Sequence, residues 1–248
     1  MPWLHAVVDS PLDVHALEGA FWAGVLGWAM GQPWDGHPEL RSFEPPSGSS
    51  YVHLQQITGA ARIHLNLESD DPADRAGLAQ DLGARLVAET DAWRTLISPG
   101  GLPFCVVPSA DHVPVEPASW PGGQRSRLVQ VCVDSPRARH DPEVEFWRRL
   151  LPGRWVDSPA HEFAGKWHDD AGSPLQLLFQ RLGEDQGAVR AHLDLGTDDV
   201  GAEVRRLRSL GARNIGPGSG WHALRDPAGI PFCATANSPE QLAHRDLG

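Results

Sequence analysis

The stretch Arg62–Cys105, RIHLNLESDDPADRAGLAQDLGARLVAETDAWRTLISPGGLPFC, lies without a gap over Arg190–Cys233, RAHLDLGTDDVGAEVRRLRSLGARNIGPGSGWHALRDPAGIPFC. A constant offset of 128 separates His64 from His192, Gly83 from Gly211, Trp93 from Trp221 and Cys105 from Cys233. A spacing held over so many residues marks a duplication, which decides the fold before any single residue is interpreted. Upstream the match continues at an offset of 125: VVDSP ending at Pro11 answers CVDSP ending at Pro136, and Phe21-Trp22 answers Phe146-Trp147. The chain is therefore two homologous halves. The Pro-, Gly- and Ser-rich PSADHVPVEPASWPGGQRSR between them has no apolar periodicity and reads as an ordered or semi-extended linker. The expected division is 1–107, a linker over 108–127, and 128–248.

Each half divides again. LHAVVD predicts a strand, VHALEGAFWAGVLG a helix, and WAMGQ, ELRSFE and YVHLQQI three further strands. The second part of the half repeats that order: RIHLNLE, a helix opened by Asp70 or Asp71 and closed near Gly83, then RLVAE, WRTLIS and PFCVV. An aspartate before the helix accepts its free N–H groups, and a glycine after it takes the left-handed conformation that ends it. The C-terminal half reads alike, with Asp198 or Asp199, VGAEVRRLRSLGA and Gly211. The prediction is an α+β fold of four strand-helix-strand-strand-strand units.

Composition narrows the partners. A formal net charge of −11 disfavours nucleic acid and anionic membrane, both of which would repel the chain. No apolar run reaches membrane-spanning length, and MPWLHAVVDSP lacks the basic start and apolar stretch of a signal peptide, so a cytoplasmic protein is expected. Three cysteines without a CxxC pair fit a reducing compartment and argue against a disulfide framework. No G-x-S-x-G elbow, phosphate loop or dinucleotide fingerprint is present.

Several residues carry possible chemistry. Strand alternation puts His64 with Arg62 and Asn66, and His192 with Arg190 and Asp194, on faces opposite Leu65 and Leu193. His53 and Gln55 share one side of a strand. Trp22 and Trp147 at matched helical positions read as core. Trp93 and Trp221 each begin a strand and offer a flat wall to a planar ligand. Trp34, Trp120 and Trp167, and with them His37, His112, His140, His161 and His168, read as loop or solvated positions, while His222 points opposite to Trp221. Cys105 and Cys233 have two readings, as small buried core residues or as soft ligands.

FWAGVLGW, RAHLDLGTDD, EVRRLRSLGA and above all LRDPAGIPFC are similar to the vicinal oxygen chelate superfamily, which includes glyoxalases, bleomycin-resistance proteins and extradiol dioxygenases. The N-terminal half departs from the pattern, with ISPGGLPFC lacking the turn aspartate. The resemblance implies paired units whose sheets form cups, and in metal-dependent members four ligands, mostly His and Glu, inside a cup. Those positions fall on His5, Gln55, His64 and Cys105 in the first half and on Gln130, Gln180, His192 and Cys233 in the second, so each cysteine stands where relatives carry glutamate. Three functions follow as expectations. The first is a cup binding a small molecule without metal, with His64, His192, Gln55, Gln180, Trp93 and Trp221 as contacts. The second is a metal-dependent lyase, isomerase or dioxygenase, with zinc, iron, manganese or nickel on His5, Gln55 and His64 in the first cup, Cys105 as a further ligand and His53 as acid or base. The third is a metal-free enzyme or structural pair. A monomer or homodimer is expected.

Overall fold

The computed structural model describes residues 3–168 and 172–240. The first half runs β1 (Leu4–Pro11), α1 (Leu12–Leu26), β2 (Ala29–Trp34), β3 (His37–Glu44), β4 (Val52–Ile57), β5 (Arg62–Ser69), α2 (Pro72–Asp81), β6 (Arg85–Glu89), β7 (Arg94–Ile97) and β8 (Pro103–Pro108). After a short β9 (Ala118–Ser119) the second half runs β10 (Arg125–Ser135), α3 (Arg137–Leu150), β11 (Arg154–Asp157), β12 (Phe163–His168), β13 (Gln176–Arg181), β14 (Arg190–Thr197), α4 (Val200–Ser209), β15 (Arg213–Pro217), β16 (Trp221–Arg225) and β17 (Pro231–Thr235). The four βαβββ units read from the duplication are thus present. The sheets are mixed, ordered β2-β3-β4-β1-β5-β8-β7-β6 and β11-β12-β13-β10-β14-β17-β16-β15, with β9 on β10. The same register sits in the middle of each: Asn66 pairs with Cys105, and Asp194 with Cys233, in parallel ladders.

The helix signals work as read. Asp71 accepts the Asp74 N–H at 3.0 Å and Asp199 that of Ala202 at 2.8 Å, while Gly83 (φ 101°) and Gly211 (φ 111°) turn the chain after the helices.

The chain forms two compact units, each drawing from both halves. One comprises Met1–His5, His64–Asp111 and Val131–Ala191. Its core sets Phe104 of β8 against Phe146 and Trp147 of α3, with ring centroids 5.9 and 5.2 Å apart. Trp147 donates to Glu143, whose other oxygen accepts the Gly100 N–H at 2.7 Å. The other unit comprises Ala6–Ile63, His112–Gln130 and His192–Gly248. There Phe232 of β17 meets Phe21 and Trp22 of α1 at 5.7 and 5.3 Å, Trp22 donates to Glu18, and Glu18 accepts the Ala228 N–H at 2.9 Å. Trp22 and Trp147 are fully buried, as core.

Two local expectations need correction. Trp167 lies in β12 and is buried, its indole N–H on Pro152 O at 3.0 Å, and Trp34 ends β2; apolar area outweighed the polar neighbours that suggested loops. His140 lies buried in α3, and His168 is buried at the end of β12. The linker takes the ordered one of its two readings around Trp120. Its Trp120 lies under the Arg206 guanidinium at 3.5 Å, donates to Ser126 at 2.8 Å and covers Gly27, the left-handed residue that closes α1.

Candidate functional site

In the second sheet, Leu193, Phe232 and Leu224 share one face by register, and Phe232 carries that face onto α1. Alternation therefore turns His192, Asp194, Cys233, Ala223 and Trp221 to the opposite face. Among the described residues, the one three-donor group of His, Cys and carboxylate that lies wholly within a compact unit is here: the ligand atoms of His192, Asp194 and Cys233 all lie within 4.8 Å of one another. His192 Nε2 stands 3.3 Å from Asp194 Oδ1. The other oxygen, Oδ2, accepts from the side-chain amide of Gln130 on β10. Asp194 is 3% exposed, yet its Oδ1 accepts no hydrogen bond. Such an atom in a buried carboxylate is costly unless a cation or donor meets it. Burial pushes the Cys233 thiol above its ordinary range; His192 opposes that shift and Asp194 adds to it.

Trp221 stands at the rim of this floor, two residues before Ala223, which pairs with Cys233. That separation is about 7 Å along the strand. The residue is 37% exposed, the one aromatic among the exposed large apolar residues described. Its ring lies flat on Gly218, where a Cβ would come within 2.0 Å of it, and the Gly218 N–H donates to Trp221 O at 2.8 Å. Gly218 of GPGSG thus orients a tryptophan. His222 points away and meets Asn214 at 2.5 Å.

The first sheet carries the duplicate positions with different chemistry. His64, Asn66 and Cys105 occupy the places of His192, Asp194 and Cys233, so the carboxylate becomes a neutral amide. Cys105 lies 3.5 Å from the Thr95 hydroxyl, where the second sheet has Ala223. His5 is bound to Glu68 at 3.0 Å, a carboxylate that family positions did not flag although it shares the His64 face two steps on. His53 is buried, accepts or donates at Ser42 Oγ at 3.0 Å, and meets the Trp34 ring edge-on at 5.3 Å. Gln55, half-buried, pairs in register with Asp9, whose carboxylate is fully buried and held by Arg62 at 2.8 Å. Trp93 is half-buried in a turn in which Thr90 Oγ1 accepts its N–H at 3.0 Å. Gln180, on β13, accepts from Cys132 Sγ at 3.8 Å.

All three cysteines are free and buried. In the folded protein none of the three is expected to react promptly with an aromatic disulfide reagent, whereas all three react in denaturant; prompt labelling of Cys233 in native buffer would contradict its placement.

The fold has known counterparts. The Mn(II)-bound glyoxalase of Novosphingobium aromaticivorans is similar in structure at a TM-score of 0.65 and 18% identity, over 98% of this chain and 85% of that one. A variant of homoprotocatechuate 2,3-dioxygenase from B. fuscum in complex with HPCA gives 0.64 and 15%, over 96% and 71%. The 2,2',3-trihydroxybiphenyl 1,2-dioxygenase of Sphingomonas wittichii gives 0.58 and 15%, over 93% and 88%. At these identities the likeness speaks for the fold. No curated protein matches the chain in sequence. No helix among the described residues is long and apolar enough to cross a membrane. The glyoxalase-like domain pattern matches residues 5–107 and again 130–235, so the chain belongs to the glyoxalase-like family of the vicinal oxygen chelate superfamily, with two such domains in tandem.

Proposed function

We propose that the chain binds a small organic molecule with a planar face over the second sheet, with Trp221 as its wall and Gln130, His192, Asp194 and Cys233 as its floor. The observation that carries this reading is the exposed Trp221 indole, fixed on Gly218 beside a buried polar floor. Aromatic rings exposed and braced in this way contribute stacking area at little cost in side-chain entropy. The His192–Asp194 pair adds a group that can hold or pass a proton to a bound carbonyl or hydroxyl. Whether the bound molecule is also transformed depends on that pair.

Calorimetric titration with a panel of catechols, hydroxylated biphenyls and aromatic ketones tests the reading. Trp221→Ala should weaken the best binder about tenfold, Gly218→Ala should do so partly by displacing the ring, and Trp93→Ala should leave binding unchanged. Binding insensitive to Trp221→Ala, or no binder in the panel, would remove this reading.

A metal-dependent lyase, isomerase or dioxygenase is the second reading, favoured by the solved counterparts, among them a Mn(II)-bound glyoxalase. A bound divalent metal would supply Lewis-acid polarisation of two adjacent substrate oxygens. His5 already bonds Glu68 through Nε2, an arrangement compatible with metal ligation through its other nitrogen, and the first sheet offers Asn66 where the second offers Asp194.

A further inference from the structure

We propose that the compact unit built on β8 and α3 carries, beside the start of α2, a docking groove for a basic, tryptophan-bearing peptide segment of a partner protein. The groove belongs to the unit that does not contain Trp221, and it does not rest on the small-molecule reading.

The duplication supplies the argument. In the unit that holds Trp221, the linker is seated against the start of α4 and the end of α1. Thr197 Oγ1 donates to Arg125 O, and the Arg125 N–H donates to Asp198 Oδ1, both at 2.8 Å. Ser126 and Gln124 donate to Glu203, the Arg206 guanidinium lies over the Trp120 ring, and a Cβ on Gly27 would meet that ring at 2.9 Å. Moved back by 128 residues, Thr197, Asp198, Glu203 and Arg206 become Ser69, Asp70, Arg75 and Leu78; moved forward by 125, Gly27 becomes Pro152. Together with Asp71 and Asp74, these duplicates line an open cleft of about 450 Å³ in the other unit. That volume is in the range of ligand pockets, about 300–1,000 Å³. The groove that seats a segment of chain in one unit is thus an accessible cleft in the other.

The differences between the two copies state what fits. Arg75 donates to Leu150 O at 2.6 Å, the duplicate of the Val25 O that Arg206 holds, so the end of α3 is capped from position 75. Position 78 is then relieved of that role: Leu78, 38% exposed, and Pro152 form an apolar floor where the other unit places Arg206 and Gly27 about its tryptophan. Ser69 and Asp70 keep a hydroxyl and a carboxylate at the places that take the Arg125 main chain, which points to a peptide as the occupant. The Ser69 hydroxyl meanwhile turns back onto Asp71 O at 2.9 Å. Asp70, Asp71 and Asp74 face one guanidinium already committed to a carbonyl, so the complementary occupant is cationic. An indole on Leu78 and Pro152 with a basic neighbour beside Asp70 and Asp74 meets both demands. The linker also shows that such a segment holds its own shape: Trp120 N–H donates to Gln124 O and Gly123 N–H to Trp120 O, each at 2.9 Å.

The test adds the full chain to a fluorescein-labelled, end-blocked peptide ASWPGGQRSR, residues 118–127, and reads binding by anisotropy. One saturable site with a Kd below about 100 μM is expected. Replacing the peptide's tryptophan by alanine should weaken binding at least about tenfold, and Asp70→Ala combined with Asp74→Ala in the protein should do the same. Both aspartates are exposed, so the fold is retained, which circular dichroism verifies. Asp198→Ala and Trp221→Ala should leave the affinity unchanged. No saturation by about 1 mM peptide, or an affinity indifferent to the tryptophan or to the two aspartates, would overturn the groove. Binding lost in Asp198→Ala would mean that the peptide displaces the chain's own linker, and would overturn it too. Sedimentation velocity that finds a dimer dissociated by the Asp70→Ala, Asp74→Ala protein would assign the groove to a second copy instead. Because Trp221→Ala is silent here and decisive for the aromatic panel, the two readings fail separately.

Discussion

Arg206→Ala should cost about 3–5 kcal/mol of folding free energy, the penalty for breaking a buried ion pair by removing one partner. The side chain gathers more than charge. Its Nε and Nη2 hold the two oxygens of Glu203, a residue with no exposed surface, at 2.9 and 2.5 Å. Its Nη1 and Nη2 also reach back to the carbonyls of Gly24 and Val25 at 2.9 and 2.8 Å. Those carbonyls belong to the last turn of α1, where no intrahelical N–H can satisfy them, and a cation there also complements the helix dipole. The guanidinium face covers Trp120 of the linker, which adds a cation–π contact. Alanine leaves Glu203 facing only Ser126 and Gln124, and leaves two helix-terminal carbonyls without their donors. Arg206→Lys should recover only part of the loss, because one ammonium cannot present a fork to a carboxylate and two carbonyls together. Glu203→Gln placed on Arg206→Ala should recover stability, since it removes the stranded charge; that non-additivity is the diagnostic sign of a coupled pair. Urea unfolding of wild type, Arg206→Ala, Arg206→Lys, Glu203→Gln and the double variant measures all of it, and an Arg206→Ala cost below about 1 kcal/mol, the level of an exposed pair, would show that Glu203 is not buried against Arg206 as described.

Arg206 also shows which parts of the molecule the chain announces and which it conceals. Helix caps, the closing glycines and the strand alternation are local, so Asp71, Asp199, Gly83 and Gly211 could be placed from a few neighbours each. The offsets of 125 and 128 residues did the rest by confirming elements twice. Arg206 has no such signal: in sequence it is one of several arginines on an exposed-looking helix, and its partners are 182 and 181 residues away. The mixing of halves in each compact unit is hidden for the same reason, because which module packs on which is a tertiary choice. At the candidate site, family positions drew attention to His192 and Cys233 and passed over Asp194. The signal was nevertheless in the duplication. Asp194 shares the His192 face, and it is where the two copies differ by a charge, Asn66 against Asp194. Glu18 and Glu143 were legible in the same way, at matched positions four residues before the matched tryptophans, a spacing that puts carboxylate and indole on one helix face.

Those two glutamates give the second large effect, a stability difference that grows with pH. Glu18 is buried beside Asp226, and its carboxyl is pushed up to about 9, by burial first and then by Asp226. Asp226 itself takes the Ile230 N–H at 2.7 Å, Trp22 donates to both carboxyls, and burial pushes the Asp226 carboxyl up as well, so two adjacent buried acids both favour holding a proton. The matched turn in the other unit does the same work with one charge fewer. Ser98 accepts the Leu102 N–H at 3.0 Å in place of Asp226, and its hydroxyl serves Glu143 as a donor. The sign follows from proton counts. Unfolded, Glu18 loses its proton near 4.5; folded, it retains it to about 9, so across that window the native state holds more protons. Stability is therefore fully present below the unfolded value and falls as pH rises through the folded one, by up to about 1.4 kcal/mol for each pH unit. Asp226→Ser should flatten that decline by copying the turn of the other unit, and Ser98→Asp should steepen it by placing a second acid beside Glu143. Urea midpoints of wild type and both variants between about pH 6 and about pH 9 give the comparison, in which titrations common to all three cancel. An Asp226→Ser protein that declines with pH as steeply as the wild type would mean that burial alone holds the Glu18 proton, and that the turn aspartate of RDPAG stabilises the last hairpin without drawing a proton into it.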